Sequence, residues 1–246
     1  MSISVQLYAI RHALDADLLV ALRRLADIGF TQVEPYNFVA LADGLATALA
    51  STGMTAPTGH APLLSADQDG IFASAKRLGI GTVIDPFIPE DRWQDAGAVR
   101  ETSARLNEAA RLGARHGIRV GYHNHWWELQ STIDGVSGLE YFAGLLDPDV
   151  VLEVDTYWAA TGGADVATLL DRLGSRVVAI HIKDGPKTLD MKAQKPVGQG
   201  AMDVPGVIAA AKWMEVGVIE LDDYEGDMFD ALAESLVFTR RLLANG

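Results

Sequence analysis

The chain has 246 residues, 49% of them hydrophobic, no cysteine and a net charge of −13. That length and apolar share fit one large core. The acidic balance opposes nucleic acid, whose counterions are displaced by Lys and Arg, and an anionic membrane surface. Without cysteine there is no disulfide and no thiolate ligand, so any metal site must use His, Asp, Glu, Asn or Gln. No stretch of 18 apolar residues suggests a membrane span. The N-terminus lacks a basic region followed by a long apolar run, and a cytoplasmic location is the expectation.

Short apolar or β-branched runs occupy 4–10, 32–35, 55–59, 82–87, 119–123, 150–155, 177–182 and 218–222. Segments of helical periodicity lie between them. The first, 15–28, places Leu18, Leu22 and Leu25 on one face and ends at Gly29, which reads as a C-cap. Ser65 reads as the N-cap of a helix that runs to Leu78 and stops at Gly79. A long helix over 95–116 carries Leu106, Ala109, Ala110 and Leu112 on its inner stripe and ends at Gly117. Asp203 followed by Pro205 reads as a cap and an early-helix proline, and 228–243 closes the chain. Eight strands alternating with about eight helices predict a parallel sheet. In this length they predict a single-domain (β/α)8 TIM barrel over 1–246. The stretch 184–202 is too long for an ordinary connection and reads as a lid.

In such a barrel the active site lies at the C-terminal ends of the strands. Five of the six histidines (His12, His60, His123, His125 and His181) fall at or just after a predicted strand end. His116 precedes a helix-terminating glycine and reads as structural. The segment GYHNHWWEL, 121–129, puts His123 and His125 on one face of the fifth strand. The sixth strand ends in Asp155, the seventh carries His181 and Lys183 on one face, and the eighth carries Glu220 and Asp222. Carboxylates at the tips of apolar strands need partners or a metal. Asp155, His181 and Glu220 could converge on one cation, and an oxygen-rich set with imidazoles suits Mn²⁺, Mg²⁺, Co²⁺ or Zn²⁺. The blander readings are Asp155 as a helix cap, Glu220 as a salt-bridge partner and Asp222 as a loop cap. Glu34 is as readily structural as functional. Gly198-Gln-Gly200 has the form of a phosphate loop but more often marks a turn. Trp126, Trp127 and Trp158 follow strands five and six, where they either face a sugar or pack the rim.

The motifs YHNHWWEL (122–129), LEVDTYWAATGG (152–163), AIHIKDG (179–185), VGQGAMDV (197–204) and VIELDDYEGD (218–227) cover the C-terminal half. Together they resemble the sugar phosphate isomerase/epimerase family of xylose isomerase-like TIM barrels, in its YHNH-type branch. The resemblance implies one divalent cation, with Asp155, His181 and Glu220 at the positions of three ligands. Where many members carry a strand-five glutamate this chain has His123; His125, Glu128 or water are the other candidates for the fourth ligand. Trp158 stands where many epimerases have histidine. The implied activity is a sugar or polyol isomerisation or epimerisation by α-proton abstraction through a metal-stabilised enediolate. Glu220 and a strand-five imidazole, His123 or His125, are the acid/base candidates, and Lys183 would orient or stabilise a substrate oxygen. His60, Glu128 and Trp158 would line the substrate. A lyase or dehydratase acting on a keto-sugar, keto-inositol or 3-keto-glycoside is the near alternative. A noncatalytic sugar-binding barrel is the contrasting class, and a nuclease is opposed by the charge. Dimers are common among such barrels, so a homodimer is a further expectation.

Overall fold

The computed structural model describes residues 2–244. Its eight parallel barrel strands are β1 (Ser2–Gln6), β2 (Val33–Glu34), β3 (Thr58–His60), β4 (Thr82–Asp85), β5 (Arg119–His123), β6 (Val151–Asp155), β7 (Val177–Ile182) and β8 (Val216–Ile219). They pair in the order β2-β1-β8-β7-β6-β5-β4-β3. Between β2 and β3 only the isolated bridges Gln32–Thr55 and Tyr36–His60 form, so the barrel is nearly closed. A two-stranded hairpin, Thr132–Ile133 with Val136–Ser137, lies outside it. Among the described residues no helix is long and apolar enough to cross a membrane.

Glycine ends the helices where the sequence predicts. Gly79 (φ +74°) and Gly117 (φ +74°) adopt the left-handed conformation that a side chain resists, and their N–H groups close the last turns. One N-cap and one helix start differ from expectation. The helix Gln68–Leu78 is capped by Asp67, which accepts from Gly70 N at 3.2 Å, and not by Ser65. The expected helix over 15–28 is two, Arg11–Ala16 and Leu18–Ile28, because Asp17 turns extended and accepts from Val20 N at 3.0 Å. Leu22 and Leu25 are fully buried, each contributing about 1.5–3 kcal/mol of apolar burial.

The strand ends also shift. The first stops at Gln6 because the Gln6 side chain accepts from Tyr8 N at 3.1 Å and starts a 3₁₀ turn, Leu7–Ile10. His12 is thereby carried onto an exposed helix, away from the barrel mouth.

Strand alternation sorts the interior. Leu152 and Val154 join the core between sheet and helices, whereas Glu153 and Asp155 take the opposite face. A small apolar cluster, Ala179, Val216 and Val218, shares its strand face with His181 and Glu220 and plugs the barrel beneath them. The polar groups above that plug are buried, so each needs a partner or a ligand.

Candidate active site

Asp155 ends β6 and does two things. Its Oδ1 accepts from Trp158 N at 2.9 Å, capping the helix Thr156–Thr161, so the cap reading is correct. Its Oδ2 faces the interior, 2.9 Å from Lys183 Nζ but out of line for a hydrogen bond. Asn124 fixes this strand tip: Asp155 N donates to Asn124 Oδ1 (3.0 Å), and Asn124 Nδ2 donates to Asp155 O (3.3 Å).

The register of β6 with β7 sets Asp155 opposite His181. His181 Nδ1 lies 2.8 Å from Glu220 Oε2, and His181 Nε2 lies 2.9 Å from Glu34 Oε1 and 3.1 Å from Glu153 Oε2. Lys183 Nζ sits among three carboxylates: Asp155 at 2.9 Å, Glu220 at 2.7 Å and Asp222 at 2.7 Å. Behind them, His60 Nε2 contacts Glu153 Oε2 at 2.6 Å and Glu34 Oε1 at 3.1 Å, and Gln6 Nε2 donates to Glu34 Oε1 at 2.8 Å. His123 Nδ1 is 3.3 Å from Glu153 Oε2, and its Nε2 is 3.8 Å from Asp155 Oδ2.

Sequence reasoning missed Glu153 and left Glu34 undecided. The signal for Glu153 was present, since it is two residues before Asp155 and must share its face.

Electrostatics follows from this packing. Burial penalises the Lys183 ammonium, but Asp155, Asp222 and Glu220 outweigh that and hold its pKa well above the ordinary value. Burial opposes the His60 and His181 cations too. Glu34 and Glu153 nonetheless push His60 up to about 10, and Glu153 and Glu220 raise His181 strongly. Burial and Glu34 work against ionisation of Glu153; the His181 and His60 cations prevail and hold it at about 2. Burial opposes the Glu220 carboxylate as well, and Lys183 and His181 keep it ionised. In Asp155 burial prevails and the pKa rises. Burial, then the His181 cation, depresses His123 well below the usual imidazole range, leaving it neutral.

Ligand atoms of Asp155, His181 and Glu220 lie within 4.8 Å of one another, as do those of His60, His123, Glu153 and His181. Glu153 Oε1, Asp155 Oδ2, Glu34 Oε2 and His123 Nδ1 are buried without a hydrogen-bond partner. Buried lone pairs left in that state are costly, and the cluster fits a metal site.

Above the cluster opens a cavity of about 590 Å³, lined by His60, His123, His125, His181, Glu220 and Trp158 among others. The His125 ring stacks on Trp127 at 4.3 Å. Three expected site residues, Asp155, Lys183 and Glu128, are not part of the lining. Lys183 is enclosed by its carboxylates. Glu128 is fully buried and accepts from Tyr122 Oη (2.5 Å) and His125 N (2.9 Å), bracing the 121–129 segment.

The lid over 184–202 explains the glycine motif. The Asp184 carboxylate accepts from the N–H groups of Gly185 (2.8 Å), Gly198 (2.9 Å), Gly200 (3.0 Å) and Met202 (3.0 Å). The anion held by this loop is the protein's own side chain. Gln194 ties the lid to the eighth strand end, donating to Asp222 Oδ2 and accepting from Asp222 N, both at 2.7 Å.

Residues 22–241 match the model of the xylose isomerase-like TIM barrel family. A 109-residue stretch is 34% identical to inosose dehydratase of Mesomycoplasma hyopneumoniae strain J. The match spans 41% of this chain and only 35% of that protein. The fold superposes on a sugar phosphate isomerase/epimerase from Parabacteroides distasonis with a TM-score of 0.79 at 21% identity, covering 96% of this chain and 92% of the other. It also superposes on the IOLI protein with a bound zinc atom, with a TM-score of 0.74 at 15% identity, covering 100% and 99%.

Proposed function

Since the chain belongs to the xylose isomerase-like TIM barrel family, we propose that it isomerises or epimerises a sugar or polyol by removing a proton beside a carbonyl. A divalent cation would be held by Asp155, His181 and Glu220, with His123 as fourth ligand. The observation that carries this reading is the convergence of those buried groups beneath the cavity, with carboxylate oxygens unpartnered. When bound, the cation polarises the carbonyl and stabilises negative charge on its oxygen.

The chain's own groups supply the rest. His123 is neutral, so a ring lone pair is available for ligation. His125 lines the cavity, its Nδ1 buried 3.9 Å from Glu128 Oε1, and the ring takes and returns the substrate proton. Glu220 stays ionised under Lys183 and His181, so it binds cation and substrate hydroxyl better than it accepts a proton. Lys183 ion-pairs with both Asp155 and Glu220. Trp158 and His60 line the walls.

A second reading, elimination of a β-oxygen after the same proton loss, is favoured by His123 in place of a strand-five glutamate and by the inosose dehydratase match. Incubation with Mn²⁺ and a panel of ketoses and ketopolyols in D₂O tests both. Carbon-bound deuterium in a recovered sugar, abolished by EDTA and by His125→Asn, supports the first. Loss of water or an aglycone supports the second. Absence of any exchange or elimination across the panel rejects both and leaves a sugar-binding barrel.

A further inference from the structure

The upper cavity is built for more than a sugar. A hexose has about twelve heavy atoms, and each takes less room than a water molecule's share of about 30 Å³. Such a ring leaves a substantial part of the 590 Å³ empty. The remainder is aromatic. Phe87 meets the His125 ring edge-on at 5.8 Å and Trp127 at 5.7 Å, and Trp126 packs on Trp158 at 5.0 Å. Tyr8 and Tyr36 form an edge-to-face pair at 5.3 Å and line the same cavity.

Several of these groups pack on nothing on one side. Phe87 is 56% exposed, Met191 of the lid 48% and Tyr8 40%, and all three line this cavity. Apolar surface gathered at a concave mouth marks a binding site. The lining also contains no Lys or Arg. Arg11 is turned away: its guanidinium lies 4.3 Å from the Tyr8 ring centroid and donates to Tyr8 O (3.0 Å) and Asp222 O (2.9 Å). Glu220 and Asp222 line the cavity, and the His60 and His181 rings beside them are already paired with Glu34, Glu153 and Glu220, so the lining offers a phosphate no free cation.

The geometry points to an unphosphorylated sugar bearing a ring carbonyl and a flat apolar substituent, an aryl keto-glycoside, for which aryl glucosides serve as unreactive binding probes. Its sugar ring sits over the buried cluster, and its aryl ring lies against Phe87, Trp126 and Trp127 beneath Met191. This rests on the sugar chemistry proposed above. Aromatic rings favour offset or edge-on packing with one another, and the Phe87–Trp127 corner offers both faces and edges.

Calorimetric titration of the Mn²⁺-loaded protein with phenyl glucosides, methyl glucosides and glucose 6-phosphate tests it, both anomers of each glucoside being used. Phenyl glucoside should bind at least about tenfold more tightly than methyl glucoside of the same anomer, and the phosphate ester more weakly than either. In Phe87→Ala and Met191→Ala, both at exposed positions that leave the core intact, the phenyl-to-methyl ratio should fall toward one. Equal binding of phenyl and methyl glucosides, no binding of either, or preference for the phosphate ester overturns the proposal. A phenyl preference without isotope exchange on any ketose sinks only the catalytic reading. Exchange on a free ketose without a phenyl preference sinks only this one.

Discussion

Two charged sets share the barrel interior, and they balance their carboxylates differently. One is centred on Lys183, with Asp155, Glu220 and Asp222 around the ammonium. The other is centred on Glu153, with His60, His123 and His181 around the carboxylate and Glu34 behind. A lysine remains charged at any ordinary pH when so enclosed, whereas imidazoles can give up their protons. The lysine set therefore keeps its cation at any ordinary pH, and the imidazole set carries the pH sensitivity. His181 belongs to both and couples them.

The largest effect that can break this contrast is Lys183→Met. Removing the internal cation leaves three carboxylates facing one another, and the metal-free protein should lose about 3–5 kcal/mol of stability. Because the ammonium occupies the space between Asp155 and Glu220, Mn²⁺ should recover more stability in this variant than in wild type. Urea denaturation with and without EDTA measures both, and an equal Mn²⁺ effect in the two proteins would rule out competition for that space. Next comes Glu153→Gln, which withdraws charge from behind His123 and His181. Divalent affinity should drop about 10–100-fold, as for other groups that orient metal ligands; equilibrium dialysis reads it.

The pH response follows in size. His60 has a folded pKa of about 10 against an unfolded value near 6.5. Its contribution is fully present below the lower value and disappears as pH rises through the upper one. Metal-free protein should lose stability between about pH 6.5 and 10, with a shallower slope in His60→Gln. Parallel slopes would assign the loss to other groups. The smallest effect expected is from Gln194→Ala, which removes two hydrogen bonds to Asp222 but leaves the Lys183 contact. It should cost about 1–2 kcal/mol while changing divalent affinity little, and a large affinity change would place Gln194 within the cation site.

Much of the barrel was legible because alternation and glycine stops are local signals. β5 and β7 have the expected bounds, and Gly79 and Gly117 end their helices for a conformational reason visible in the sequence. What escaped depends on contacts across the chain. Asp184 captures Gly198 and Gly200, which converts an apparent phosphate loop into an internal tether. Gln6 terminates β1 through its own side chain and so moves His12 out of the mouth. Glu128, expected beside substrate, is consumed by Tyr122 and His125 N. Glu34 acquires its place only when β2 pairs with β1 and sets it opposite Gln6, a neighbour that no spacing rule reveals.

The attachment of the lid has a consequence for how such a barrel diversifies. Asp184 grips main-chain N–H groups, so the docking is indifferent to most side chains along the loop. Gly198 and Gly200 are exceptions, since a Cβ would collide with the Phe238 ring at the first and with the Asp184 carboxylate at the second. Residues such as Leu189 and Met191, exposed on the loop, can be exchanged while its anchor points stay put. A lineage or an engineer can thus refit the entrance to new substrates without reopening the charge balance of the interior.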